Sequence, residues 1–400
     1  MNLVVIIGLG YIGLPTSALI AKNKIQVLGV DINEDVVDTI NKGKIHIVEP
    51  ELENVVKKAV ESGFLKASKF PQKGDVYLIV VPTPFKSNHE PDISFIESAT
   101  KEIIPILKKN DLYIIESTSP VGTTEKMKDL IYNSRPDLVN NIYIAYCPER
   151  VLPGNVLEEL IHNDRIVGGI NKESSSKAAE FYKKFVKGKI HITDSKTAEM
   201  CKLTENASRD VQIAFANELS IICDKADINV WELINLANMH PRVSILQPGC
   251  GVGGHCIAVD PYFIISEYKN ESRIISQARK INNYKPEWCL DKILDEIKQF
   301  KKQFNRNPII GIYGLAFKPN IDDLRESPAL SIALKLLNTY TEDKLMFVEP
   351  NISFHNKIKI STLGESLEKI DVGVILVGHK EFKNINIRKE NIKWLNFVNI

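Results

Sequence analysis

The N-terminal stretch Leu3-Val4-Val5-Ile6-Ile7-Gly8-Leu9-Gly10-Tyr11-Ile12-Gly13 constrains the fold more than any other part of the chain. Its apolar, β-branched run predicts a buried strand, and the alanine- and leucine-bearing pattern through about Lys22 predicts a helix. Between them the three glycines meet separate demands. The first turns the chain, the second lets a pyrophosphate touch the backbone, and the third lets helix and strand pack closely. The helix N-terminus then presents its N–H groups to the phosphates. A second run from Ile25 to Val30 ends in Asp31, whose carboxylate suits a ribose hydroxyl and repels a 2'-phosphate. These features predict an NAD site in preference to NADP, with Gly8, Gly10, Tyr11, Ile12, Gly13 and Asp31 as its cofactor-binding residues.

Further apolar runs at 75–81, 112–116 and 142–145 continue the strand–helix alternation. Ligands of such sheets sit outside the carboxyl ends of the strands, which is where Thr83, Thr118 and the neighbours Glu149 and Arg150 fall. A second strand–glycine unit begins at Ile309-Ile310-Gly311-Ile312-Tyr313-Gly314 and carries less of the dinucleotide fingerprint, so a different nucleotide or phosphate ligand is expected there. The fold class that follows is α/β, two Rossmann-like doubly wound domains joined by a long central helix. Domain limits are expected at 1–195 for NAD binding, 196–303 for a central helical dimerisation region, and 304–400 for a smaller α/β substrate domain.

The central helix is predicted from Ser195 onward, where Met200, Leu203, Ala207, Val211, Phe215, Leu219 and Ile222 recur at three- and four-residue intervals. Its length suits an oligomer interface. Lys202 and Asn206 lie one turn apart on another face, with Arg209 close by. Farther on, Gly249-Cys250-Gly251-Val252-Gly253-Gly254-His255-Cys256 packs four glycines into six residues, and Asp260 follows. So many glycines oppose a helix and let the backbone approach a ligand closely, delivering a thiol to the point of approach.

Composition narrows the function classes. A formal net charge of +1 over 400 residues argues against a nucleic-acid binder. The six cysteines and eight histidines show no metal-ligand spacing, so no metal is expected and reduced thiols in a cytoplasmic protein are. The apolar start lacks the basic segment of a signal peptide, and no run of about twenty apolar residues could cross a membrane.

Taken together, these motifs resemble the UDP-glucose/GDP-mannose dehydrogenase family along nearly the whole chain. The resemblance rests on Gly8 to Gly13, Ser117-Thr118-Ser119-Pro120-Val121-Gly122, Pro148-Glu149, Lys202-Leu203-Thr204-Glu205-Asn206-Ala207, Gly253-Gly254-His255-Cys256, Phe317-Lys318 and Leu324-Arg325-Glu326-Ser327. Within the family, Pro148 to Gly154, His240-Pro241-Arg242-Val243 and Gly251 to Pro261 resemble the branch that oxidises UDP-N-acetylhexosamines. UDP-N-acetyl-D-mannosamine is the expected substrate and UDP-N-acetyl-D-glucosamine the alternative. Two departures stand out: Cys250 replaces an expected proline and so offers Cys256 a disulfide partner, and Glu349-Pro350 replaces Asp-Pro.

The resemblance implies a four-electron oxidation of the sugar C6 alcohol to a carboxylate with two NAD, Cys256 forming a thiohemiacetal and then a thioester. It gives Lys202 or Asp260 the alcohol proton, Lys202 and Asn206 the oxyanion, and Glu149 and Asp260 the hydrolytic water. Thr83, Thr118 and Arg325 join the NAD contacts. Glu149, Arg150, Lys202, Asn206, Arg209, Arg242, Gly253 and Lys318 are implied in substrate binding, with Arg242 supplied across a homodimer. A competing reading is a non-catalytic NAD- and sugar-nucleotide-binding redox sensor. It is disfavoured because binding alone needs none of Lys202, Asn206, Cys256 and Asp260.

Overall fold

Short apolar runs buried on both faces build the first sheet, as parallel strands require. The computed structural model describes residues 3–86, 90–151, 154–385 and 392–400, and the chain divides after Thr204 into two units. Leu152 and Pro153, within the Pro148 to Gly154 stretch, lie outside the described residues. In the first unit the strands are β1 (Val4–Ile7), β2 (Val27–Val30), β3 (Leu65–Ser68), β4 (Val76–Ile79), β5 (Leu112–Ile115), β6 (Tyr143–Tyr146), β7 (Arg165–Gly169) and β8 (Ile190–Asp194). Their order is β3-β2-β1-β4-β5-β6-β7-β8. All neighbours pair in parallel except β6 and β7, where Ala145 faces Gly169 and Tyr146 faces Gly168. Alternate residues feed two cores. Val4 and Ile6 join Leu14, Ile20 and Val56 on one face, and Val5 and Ile7 join Ile96, Met127 and Ile131 on the other.

The second unit carries β9 (Ile310–Tyr313), β10 (Leu345–Val348), β11 (Val372–Ile375) and β12 (Lys393–Asn396), parallel throughout in the order β10-β9-β11-β12. The helix Arg273–Phe304 supplies Leu290, Ile293, Ile297 and Phe300 to a core against Ile310, Ile312, Val372 and Val374. This sheet is the second nucleotide-fold element expected from the Gly314 turn.

The helix Ser195–Ala226 forms over the span expected of it, and its apolar stripe is buried at Leu203 and Ala207 but exposed farther along. Phe215 is 50% exposed and Ile222 55%, while Asp210, Asn217 and Ser220 are buried. Short side chains, Ala207, Ala214 and Ala216, fill the rest of the buried side. The helical period was legible; which face met the protein interior depended on partners far along the chain.

At its start this helix also braces the first unit. The carboxylate of Glu199, fully buried, accepts the N–H groups of Gly122 at 2.6 Å and Thr124 at 2.7 Å and the Thr124 hydroxyl at 2.6 Å. It thereby serves the uncapped N-terminus of the helix Thr123–Ser134, which follows the Thr118 turn. Glu199→Ala strands these donors, and we expect urea unfolding to report a loss of about 2–3 kcal/mol from the intact chain.

Candidate active site

In the first unit the glycine turn adopts the geometry that its sequence demands. Gly8 has φ +97°, and a Cβ at Gly13 would stand 1.8 Å from the Gly8 carbonyl oxygen, so neither position accepts a side chain. Gly10 is exposed, with open space where a Cβ would lie. The helix Gly13–Lys22 has no side-chain cap and no acidic residue in its first turn, as befits a phosphate-binding N-terminus. Asp31, at the end of β2, accepts the Leu9 N–H at 3.0 Å through Oδ2 and the Asn33 N–H at 2.9 Å through Oδ1. Its half-buried carboxylate is thus locked beside the turn. Tyr11 is exposed and Ile12 half-buried. Thr83 and Thr118 are both half-buried beyond the ends of β4 and β5, and Ser117 ties the two loops by donating to the Val81 carbonyl at 2.7 Å. These groups fit NAD.

Glu149 follows β6 and is buried. Its Oε2 accepts from Arg165 Nη1 at 2.7 Å, and its Oε1 accepts the Arg150 N–H at 2.6 Å. Arg150 donates to the Asp164 carbonyl at 3.1 Å. Behind this pair lies Glu116, whose Oε1 accepts the Tyr182 hydroxyl at 2.5 Å. Burial pushes the Glu116 carboxyl up to about 7, with Arg165 pulling the other way. Arg165 and Glu116 escaped the sequence reading because Glu116 stood only as the last residue of an expected strand and no strand was expected around Arg165.

The second unit gathers the cysteine segment. Asn206 Nδ2 donates to Asp260 Oδ2 at 2.5 Å, so the amide one turn beyond Lys202 meets the carboxylate that follows the thiol. The Cys256 carbonyl accepts the N–H of Val259 at 3.0 Å and of Asp260 at 2.8 Å, folding the thiol residue onto the first turn of the helix Asp260–Glu267. Cys256 is half-buried and His255 exposed. Gly254, at φ +82°, donates its N–H to the Arg325 carbonyl at 3.0 Å, and Phe317 packs where its Cβ would be. The loop is thereby brought against one more of the expected site residues, Arg325, and its own Gly253 packs closely too, since a Cβ there would stand 2.5 Å from the Glu326 carbonyl oxygen. The Arg325 side chain is exposed and bonded to Asp323. Lys318, Arg209 and Arg242 are exposed and Lys202 half-buried.

Two details revise expectations. Cys250 is turned away into the core beneath the loop, 7% exposed, with its Sγ 3.5 Å from the Leu376 carbonyl, and no disulfide forms among the described residues. Burial pushes its thiol up to about 12, which leaves it an inert small hydrophobe. Glu349, in place of aspartate, reaches the Gly314 turn: its Oε2 accepts the N–H groups of Leu315 at 2.7 Å and Ala316 at 3.1 Å and faces His379 Nε2 at 3.1 Å.

A glycine turn locked by an acidic residue, two nucleotide-fold sheets and a half-buried thiol four residues before a carboxylate held by an amide fit a nucleotide-dependent oxidoreductase. The comparisons agree. The family models for the UDP-glucose/GDP-mannose dehydrogenase family match in sequence order, the NAD binding domain over residues 2–186, the central domain over 196–284 and the UDP binding domain over 311–395. The chain belongs to this family, and its cofactor is NAD. It is 54% identical to a UDP-N-acetyl-D-mannosamine dehydrogenase of Campylobacter jejuni, over 97% of this chain and 98% of that one. It is also 54% identical to the enzyme of that name from Escherichia coli (strain K12), over 95% and 94%. The solved UDP-D-ManNAc dehydrogenase of Pyrococcus horikoshii superposes with a TM-score of 0.89 at 37% identity, covering 99% of this chain and 95% of that one.

The position of Cys250 carries a prediction. Cys250→Ala is expected to retain oxidation within about twofold and to lower stability by about 1 kcal/mol, read from turnover and from urea unfolding.

Proposed function

We propose that this chain oxidises the C6 alcohol of UDP-N-acetyl-D-mannosamine to the carboxylate, giving UDP-N-acetyl-D-mannosaminuronate. What supports this reading most is the segment from Cys256 to Asp260, held by Asn206, in a chain so similar over its whole length to relatives bearing that activity in their names. NAD, when bound, accepts one hydride in each of the two oxidations.

The first oxidation needs a group to take the alcohol proton, and Lys202 and Asp260 are the groups of suitable chemistry. The Cys256 thiolate then adds to the aldehyde carbon, forming the C–S bond of a thiohemiacetal whose oxygen is stabilised by donors such as the Asn206 amide and the Lys202 ammonium. Loss of the second hydride leaves a thioester. Water adds to its carbonyl, the C–S bond breaks, and the carboxylate and the Cys256 thiolate are released. Asp260 and Glu149 serve to orient that water, Glu149 with its carboxylate already fixed by Arg165 and Arg150. Residues 1–195 bind NAD, 196–303 pair subunits and carry the thiol, and 304–400 take the uridine nucleotide. Lys318 and Arg242 suit its diphosphate, Arg242 as a fork of fixed charge.

A homodimer completes the reading. Phe215 and Ile222 are exposed along one helix, and Leu236 at 58% and Met239 at 76% lie on and just beyond the helix Val230–Ala237, so a second copy of this apolar surface is the partner that fits it. Arg242 follows directly and is assigned to the neighbouring subunit's substrate.

Two experiments check the reading. NADH formation across UDP-N-acetylmannosamine, UDP-N-acetylglucosamine, UDP-glucose and GDP-mannose is expected to be fastest with the first, with two NADH per sugar; a ratio of one removes the thioester route. Cys256→Ala is expected to abolish carboxylate formation, by about four orders of magnitude or more, while NAD still binds. Separately, Phe215→Glu with Met239→Glu is expected to give monomers by sedimentation velocity, whereas intact dimers would place the interface elsewhere.

A further inference from the structure

The thiol segment is tied near both ends by one polar circuit, buried from Asn217 to Arg279 and exposed at Asn283. Asn217, fully buried, accepts the Gly249 N–H through Oδ1 at 2.9 Å, at the start of the segment. An N–H can only meet an oxygen, so the Asn217 amide nitrogen must face away, and it donates to Asn282 Oδ1 at 2.9 Å. The Asn282 nitrogen donates in turn to Asp210 Oδ1 at 2.8 Å and to the Asp210 carbonyl at 3.0 Å. Arg279 binds the same carboxylate oxygen at 2.6 Å and passes the circuit to Asn283 Oδ1 at 2.5 Å. Asn283 donates to the Tyr262 hydroxyl at 2.8 Å, in the helix that begins at Asp260. The Asn282 orientation follows from that of Asn217, and the Asn283 orientation from the Arg279 donor.

We propose that Asn217 is a positioning residue for Cys256, setting through Gly249 the start of the loop that presents the thiol; this deepens the function proposed above and rests on it. Asn217 cannot touch the thiol, seven residues on from Gly249. It acts through the loop's geometry. Cys250 is sunk in the core, a Cβ at Gly251 would meet Pro286 and Pro328 at 3.0 Å, and Asp260 is held by Asn206, so little slack separates the two anchors. A change at one anchor is therefore transmitted to the thiol between them, and a misplacement near 1 Å is enough to slow a reaction a hundredfold.

The test uses the full chain, with Asn217→Ala and Asn217→Asp. The aspartate keeps the shape and an oxygen for Gly249. Two quantities are read: kcat against KM for UDP-N-acetylmannosamine and NAD, and the rate at which iodoacetamide modifies Cys256, followed by peptide mass spectrometry and needing no turnover. In Asn217→Ala, kcat is expected to fall about tenfold or more with both KM values within about threefold, and modification of Cys256 to change by about fivefold or more. Asn217→Asp, which keeps the Gly249 acceptor but sets an oxygen against Asn282 Oδ1, is expected to recover part of both. If folded Asn217→Ala keeps both readouts within twofold, the proposal is overturned. Equal losses in both variants, in proportion to their folded fraction, overturn it too. Should the parent chain turn over no sugar nucleotide, the functional reading fails while the modification rates still decide the role of Asn217.

Discussion

In the second unit, the structure depends on a helix face that is buried and polar. Between Asn206 and Ser220 the inward side chains of Ser195–Ala226 include Asp210 and Asn217, and a buried polar group left without a partner costs about 1–3 kcal/mol. Partners must therefore be supplied at fixed places, and Arg279, Asn282 and Lys285 on Arg273–Phe304 supply them. An apolar face tolerates some sliding of one helix along another. This one does not, because the hydrogen-bond partners stand at fixed positions on the facing helix. The register that results brings Asn206 to Asp260 and Asn217 to Gly249 at once. Lys285 shows how far desolvation goes: donating to Ser220 at 2.6 Å above the Trp288 ring, it is pushed by burial down to about 8.

The two sheets repeat one device and use it differently. In each, an acidic residue after the second strand of the unit accepts N–H groups of the glycine turn after the first: Asp31 for Leu9, Glu349 for Leu315 and Ala316. Asp31 is half-buried and its turn carries the exposed Gly10, open to a pyrophosphate. Glu349 is buried and faces His379, which accepts the Asn320 N–H through Nδ1 at 2.9 Å and so carries its proton on Nε2. Burial pushes the Glu349 carboxyl up, but His379 and the turn N–H groups outweigh it and hold it below the usual carboxylate range. The second turn is thus pinned from within by a buried carboxylate.

Local signals in the sequence were sufficient for the strand–glycine–helix units, because the glycines and β-branched runs act through neighbours only. The strands β3, β7, β8 and β12 were passed over because Lys66, Arg165, His191 and Lys393 break their apolar pattern. The cysteine segment was legible as a close-approach loop, yet the direction of Cys250 was not, since that depended on the core of β9 and β11. The long helix was placed correctly, but its buried polar residues were not foreseen. Asn206, Asp210 and Asn217 recur at intervals of four and seven, a helical spacing that could have marked the polar face, but polar residues on a helix ordinarily face water.

If that face anchors the thiol segment, the Gly249 amide must be as inaccessible to solvent as the sheet core. Residue-resolved hydrogen exchange of the intact chain measures this directly. The account predicts that the Gly249 amide exchanges only as slowly as those of β9 and β11, through unfolding of the whole second unit. Exchange of Gly249 as fast as that of an exposed turn such as Gly63 would contradict it.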